Sequence, residues 1–221
     1  SIDNVYWQPS VVRPRPSSGN FGVYTETAAN KDAGEYELGV DGEFFIWGDT
    51  MVPATQDPYE GTESMSLGSV NPDWFGAAFT PGVKYDLTAW DNPNGKLNFA
   101  MKTTASTTFY VGMKSGNVIG PPSPEGWANE GPAGVGQVWI KFAPGSDPYG
   151  FVRDGNWHTI EIPISDIAGD TDLSEVSQLF QILGVDGAIS NIELDDIHYS
   201  GGRAFETTIV PSVTERGVGI S

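Results

Sequence analysis

Hydrophobic and polar residues alternate with a period of two through most of the chain, the pattern of strands with one face turned inward. Phe21 to Glu26 begins the alternation. Glu43 to Gly48 then carries Phe44, Phe45, Ile46 and Trp47, an unbroken apolar run that predicts a buried strand. Phe75, Ala77 and Phe79 oppose Trp74, Gly76 and Ala78, and residues 95–102 put Leu97, Phe99 and Met101 on one face. Phe109, Val111 and Met113 oppose Tyr110, Gly112 and Lys114, and Val138, Ile140 and Phe142 oppose Gln137, Trp139 and Lys141. After the turn at Asp154-Gly155, Ile160, Ile162 and Ile164 are in phase, and in 178–183 Phe180 and Ile182 face away from Gln181. The last strand, Glu193 to Tyr199, would set Asp195, Ile197 and Tyr199 against Leu194, Asp196 and His198. Only Asp172 to Val176 reads as a helical turn.

About nine or ten short strands with almost no helix predict an all-β domain, closed as an antiparallel β-sandwich of jelly-roll type. Residues 8–19 are Pro-rich and read as an extended connector. Residues 115–134 form a long Gly/Pro loop that contains Trp127, and the tail after Gly202 lacks periodicity. The expected organisation is therefore 1–19 as the end of a preceding module with a linker, 20–202 as the sandwich, and 203–221 as a linker tail. Ile2-Asp3-Asn4-Val5-Tyr6 parallels Leu194-Asp195-Asp196-Ile197-His198, which suggests a tandem array.

Composition narrows what such a domain can meet. Eleven Lys and Arg against 29 Asp and Glu give a formal charge of −18, which excludes nucleic acid and anionic membrane surfaces as natural partners. No apolar run is long enough to span a membrane. The absence of Cys removes thiol and disulfide chemistry, and is compatible with export to a secreted or cell-surface setting. Asp195 and Asp196 are adjacent in a strand, where like charges repel unless neutralised. A hard cation such as Ca²⁺ would do this; so would a turn to be capped and open water.

The order Tyr24-Thr25-Glu26, then Tyr59-Glu60-Gly61-Thr62-Glu63-Ser64-Met65-Ser66-Leu67, then Asp154-Gly155-Asn156-Trp157-His158-Thr159-Ile160-Glu161-Ile162-Pro163-Ile164, then Leu194-Asp195-Asp196-Ile197 resembles the galactose-binding-like β-sandwich of carbohydrate-binding modules. It is similar to the C-terminal non-catalytic domain of marine bacterial exo-acting β-glucosidases, over about residues 20–200. The resemblance implies a structural calcium held by Glu26, Glu60, the Glu63 main-chain carbonyl, and Asp195 or Asp196. It also implies a non-catalytic module that holds a polysaccharide, a β-glucan or related marine glycan, near a catalytic partner in the same chain.

The residues support binding over catalysis. His158 and His198 have no second metal-ligand partner in sequence, and no Gly-x-Ser-x-Gly elbow or phosphate-cradling loop occurs. Glu193-x-Asp195 begins a jelly-roll glycosidase pattern but ends in His198 where the second carboxylate should stand. A jelly-roll hydrolase or lyase, and a spacer or adhesion repeat without a glycan site, are the alternatives. A binder needs aromatic platforms with amides and charges beside them. Trp139 bracketed by Gln137 and Lys141, Tyr110 with Lys114, Trp74, the loop residue Trp127, and Gln181 form that expected set, with Trp47 and Trp157 assigned to packing.

Overall fold

The computed structural model describes residues 12–205 except 55–56, 70–72, 117–136, 169–170, 185–186, 188 and 190. The Ile2–Tyr6 parallel and Trp127 therefore lie outside the described residues. Two antiparallel sheets carry the fold. The first orders β3 (Met51–Ala54), β4 (Met65–Ser69), β11 (Ile192–Ser200), β6 (Lys96–Lys102) and β9 (His158–Pro163), with β1 (Phe21–Tyr24) also on β11. The second orders β2 (Gly42–Ile46), β5 (Phe75–Pro81), β10 (Val176–Gly184), β7 (Phe109–Ser115) and β8 (Gln137–Phe142). This is the jelly-roll sandwich that the alternation implies. β3 was not legible in sequence, because Pro53 removes a ladder donor and marks a strand at a sheet margin. Among the described residues helix is confined to the single turn α1 (Ile164–Ile167) and to short 3-10 turns. One of those turns, Leu173–Glu175, is capped by the Asp172 carboxylate accepting from Ser174 N at 2.9 Å.

The core lies between the sheets and is dominated by rings. Phe79, Phe99, Phe109, Phe142 and Phe180 are fully buried and pack mostly edge-to-face, as with Phe99 on Phe180 at 5.3 Å between centroids. The inward residues expected of β5, β6, β7, β9 and β10 are the inward residues found.

Two strands depart from the expected alternation. In β2 the apolar run Phe44–Trp47 does not mark a strand buried on both faces. β2 is an edge strand with every second residue outward, and Phe45 is 46% exposed. In β11 the faces change phase at Asp196, which has φ 47°. The pairing with β6 slips between Asp195 and His198, so Leu194, Ile197 and Tyr199 all enter the core. An extra residue in one strand of a pair is a β-bulge, and an Asp tolerates the left-handed backbone it needs here.

The described part of the Pro-rich connector, residues 12–19, is tied to the sandwich. Pro14 O accepts from Asp86 N at 2.9 Å, Arg13 pairs with Glu175, and Arg15 pairs with Asp86 at 2.7 Å while lying over the Phe205 ring. Gly19 and Gly202 exchange backbone hydrogen bonds of 3.1 and 2.9 Å, and Ser18 N donates to Arg203 O at 3.2 Å. The two flanks of the sandwich thus run side by side.

Tyr199 joins the sheets through a buried hydroxyl that donates to Leu179 O at 2.5 Å. Tyr199→Phe leaves that carbonyl without its donor and should cost about 1–3 kcal/mol. A lowered midpoint in thermal or denaturant unfolding is the expected result; an unaltered midpoint would contradict the cross-tie.

Candidate functional site

β11 has β6 along one edge and two partners in succession along the other. Residues 192–194 pair with β4, and residues 197–199 pair with β1. Asp195 and Asp196 occupy the interval between those partners, and the bulge delivers both carboxylates to it. Asp195 Oδ2 accepts from Tyr59 N at 2.8 Å and Glu60 N at 3.1 Å, while Oδ1 accepts from Asp196 N at 2.7 Å. Asp196 Oδ1 accepts from Asn30 Nδ2 at 2.7 Å and lies 3.2 Å from His198 Nδ1. The Thr25 hydroxyl stands between Asp196 Oδ1 at 2.8 Å and Glu60 Oε1 at 3.0 Å and donates to one of them.

Two more carboxylates complete the junction. Glu60 accepts from Glu26 N at 2.5 Å and Thr27 Oγ1 at 2.8 Å. Glu26 reaches back to Thr62 N, to Thr62 Oγ1 at 2.9 Å and to Glu63 N at 3.1 Å. The close approach of Glu26 requires Gly61, at φ 63°, since a Cβ there would meet the carboxylate. The three segments expected to meet, around Glu26, around Glu60 to Glu63 and at Asp195–Asp196, do meet.

Electrostatics follow from this crowding. Burial, and then the charges of Asp195, Glu63, Glu26 and Glu60, push the Tyr24 hydroxyl up to about 12. Burial raises Asp195 against the pull of its three backbone donors. Burial also opposes ionisation of Asp196, but the hydrogen bonds from His198 and Asn30 overcome it and hold the carboxyl below its ordinary range. The backbone bond from Thr62 leads the lowering of Glu26. A cavity of about 300 Å³ opens beside these groups, bordered by Glu26, Glu35, Glu37, Glu63 and Asp195. Its charged donors are all oxygen, the chemistry of a hard cation. Among the described residues no three acids or histidines are already grouped as a metal cage. Glu26, Glu60 and Asp195 are each turned toward N–H and O–H donors, which leave part of their lone pairs free.

The aromatic and amide residues gather elsewhere, on the outward face of the second sheet. One register line crosses all five strands: Phe45 opposite Ala78, Ala78 opposite Gln181, Gln181 opposite Gly112, and Gly112 opposite Trp139. Phe45 is exposed at one edge and Trp139 half-buried at the other. A neighbouring line joins Gly76, Leu183, Tyr110 and Lys141, with the Lys141 ammonium 5.8 Å from the Tyr110 ring centre. Trp47 lies against Gly76 so closely that a Cβ there would strike its ring.

Beside these lines a groove of about 520 Å³ is lined by Glu43, Phe45, Trp47, Trp74, Lys114 and Gln178 among others. Trp47, assigned from sequence to packing, therefore also forms a wall of the groove. Tyr110, Lys114 and Gln181 are on the expected face but buried, because they sit on the inner strands β7 and β10 between larger neighbours. Burial alone pushes the Lys114 ammonium below its ordinary range. Gln137 pairs with Lys114 in backbone register, and its side chain is outside the described residues. Phe45 and Gln178 were not singled out from sequence. The first was hidden in an apolar run, and the second lies where the β10–β7 register shifts.

Comparison with known proteins bears on the family of this sandwich. The family model described as carbohydrate binding domain 30 matches residues 24–201. Among solved structures the chain is similar to a family 30 carbohydrate-binding module, at 19% identity and TM-score 0.50, covering 72% of this chain and 88% of that one. It is similar also to the family 30 module of a cellulosomal cellulase of Clostridium thermocellum, at 17% identity and TM-score 0.50, covering 86% of this chain and 95% of that one. No curated protein matches the chain.

Asp195→Asn presents an amide N–H₂ where three backbone N–H groups now converge on a carboxylate. About 1–3 kcal/mol of stability should be lost in chemical denaturation, more than for Glu26→Gln at the exposed rim. Equal losses at the two positions would contradict the central place given to Asp195.

Proposed function

The chain belongs to the carbohydrate binding domain 30 family and is a carbohydrate-binding module, and on that premise we propose that the outward face of its second sheet holds a β-glucan chain near a catalytic partner. The register line from Phe45 to Trp139 is the observation that carries this reading. Adjacent strands lie about 4.8 Å apart, so four intervals set the two rings about 19 Å from each other across the sheet. Between them Ala78 and Gly112 keep the floor low, with Gln181 fully buried beneath its middle. An extended chain of sugars laid across the strands would rest its flat C–H faces on the rings at both ends. With equatorial substituents all round, β-linked glucose presents such faces in succession. The module would act by raising the local concentration of polymer for an attached enzyme, in a secreted or cell-surface setting, with residues 1–19 and 203–221 as its connections.

Phe45→Ala and Trp139→Ala should each weaken binding to a soluble β-glucan by about 1–3 kcal/mol, judged from the apolar area each ring offers, while thermal melting stays close to the parent protein. Isothermal titration separates the readings. Melting lost along with affinity would return Trp139 to a packing role, and intact binding in both variants would remove the platform. Affinity should also change little between low and physiological salt, since stacking on a neutral polymer is not screened. A steep fall with salt would point instead to an anionic glycan gripped by Lys114 and Lys141.

The junction of Glu26, Glu60, Asp195 and Asp196 is the second part of the proposal: a structural calcium held there with the Glu63 carbonyl. Support comes from four acids of three distant segments crowding around Tyr24, and from an all-oxygen donor set. A cation bound only by the folded state adds about 2.7–4.1 kcal/mol at 100–1,000 times its dissociation constant. Chelation should lower the melting temperature, added calcium should restore it, and Glu60→Ala should abolish the response. Melting indifferent to EDTA and then to calcium would exclude the ion.

A further inference from the structure

An ammonium taken into a fold is costly unless something pairs with it, because the charge gives up its hydration. Lys114 is 6% exposed and lines the groove on the outward face of the second sheet. The other five lysines are all provided for: Lys31, Lys84, Lys96 and Lys102 pair with carboxylates, and the Lys141 ammonium lies toward the Tyr110 ring. Among the described residues the Lys114 ammonium has no hydrogen bond, no ion pair and no ring beneath it, and burial alone pushes it below its ordinary range. Its Nζ is not one of the partnerless side-chain atoms closed off from solvent, so the surface the residue keeps includes its charged tip.

The groove differs in charge from end to end. Glu43 is on β2 and Lys114 on β7, three intervals apart in the strand order β2-β5-β10-β7, or about 14 Å. At that separation Glu43 does not serve as a counter-ion. Phe45, Trp47 and Trp74 give the groove apolar walls, which exclude water and so strengthen any pairing made inside it. A neutral hydroxyl would accept one N–H from Lys114 but leave the charge without a counterpart. A carboxylate supplies acceptor and countercharge together, and such charge-assisted bonds are about twice as strong as neutral ones.

We propose that the Lys114 end of the groove takes a carboxylate carried by the glycan itself, a uronic-acid unit or a glucose oxidised at C6, set in an otherwise neutral chain. This rests on the sugar-binding reading of the face and adds a charged substituent to it. The neutral backbone still lies on the rings, and its binding stays insensitive to salt. A formal charge of −18 repels a densely acidic polymer, so the ligand is sparsely acidic rather than uniformly so.

The test uses soluble mixed-linkage β-1,3-1,4-glucan and the same glucan with a small fraction of its C6 hydroxymethyl groups oxidised to carboxylates. Both are titrated at physiological salt into the full chain and its Lys114→Met and Lys114→Gln variants, with thermal melts of each free protein. The parent should bind the oxidised glucan about tenfold more tightly than the neutral one, and reducing the carboxylates back to hydroxymethyls should return the lower affinity. Both variants should hold the neutral glucan as the parent does and lose the preference. Lys114→Met should also melt at or above the parent temperature, because an unpaired buried charge has given way to an apolar chain of similar length. Equal or weaker binding of the oxidised glucan by the parent, or a preference that survives in either variant, would overturn the inference while leaving a sugar-binding face in place. A lowered melt in Lys114→Met would overturn it too, by showing that the fold already provides for the ammonium. No binding of either glucan by the parent would instead overturn the β-glucan reading on which it stands.

Discussion

The sandwich depends on how one strand edge is completed where no strand is available. β11 is flanked by β4 and then by β1, and the interval between them falls at Asp195 and Asp196. Backbone amides that would find carbonyls in a continuous ladder here find carboxylates. Asp195 gathers Tyr59 N and Glu60 N, and Asp196 gathers Asn30, so loops from early in the chain are fastened to its last strand. Such contacts span about 135 to 170 residues of sequence, so each one closes a long loop of the chain.

That closure leaves the second sheet free to specialise. Its inner face is committed to the ring-rich core, and its outer face is removed from the acid junction, which belongs to the first sheet. The division has an electrostatic benefit in a chain of formal charge −18. Acids crowd at the junction, whereas the aromatic face carries Lys114 and Lys141 with amides and indole, and Glu43 at its groove. Neutral, hydroxyl-rich surfaces can approach it without meeting the main concentration of negative charge.

Much of this was legible in the chain because a period of two survives wherever a strand has one wet face. Phe99, Phe109, Phe180 and Ile162 were read as inward and are inward. The same reading failed where a local backbone feature breaks the period. Asp196 in a left-handed conformation puts Leu194 and Ile197 on one side, and nothing in the letters Leu-Asp-Asp-Ile distinguishes that from regular alternation. Phe45 was concealed for the opposite reason. An apolar residue on an outward face looks like an apolar residue in a core, and only the position of β2 at a sheet edge separates the two. Gln178 needed a register shift to be known before its side chain could be placed. The acids around Glu60 and Asp195 lie together in the fold, and residues so far apart in sequence carry no periodic signal of their meeting.

The paired glycines at the flanks have a mechanical consequence. Gly19 and Gly202 face each other, with Ser18 joined to Arg203 just outside them, so tension along a longer chain would enter and leave the sandwich at adjacent points. Antiparallel neighbours pulled from the same end open like a zipper, one bond at a time, rather than shearing many bonds together. The side-chain ties of Arg13 and Arg15 lie outside this seam and would take the first load. The load of anything attached beyond either flank would then pass between two adjacent points of the fold, through the Ser18–Gly19 and Gly202–Arg203 seam, and leave the sheets themselves largely unstrained.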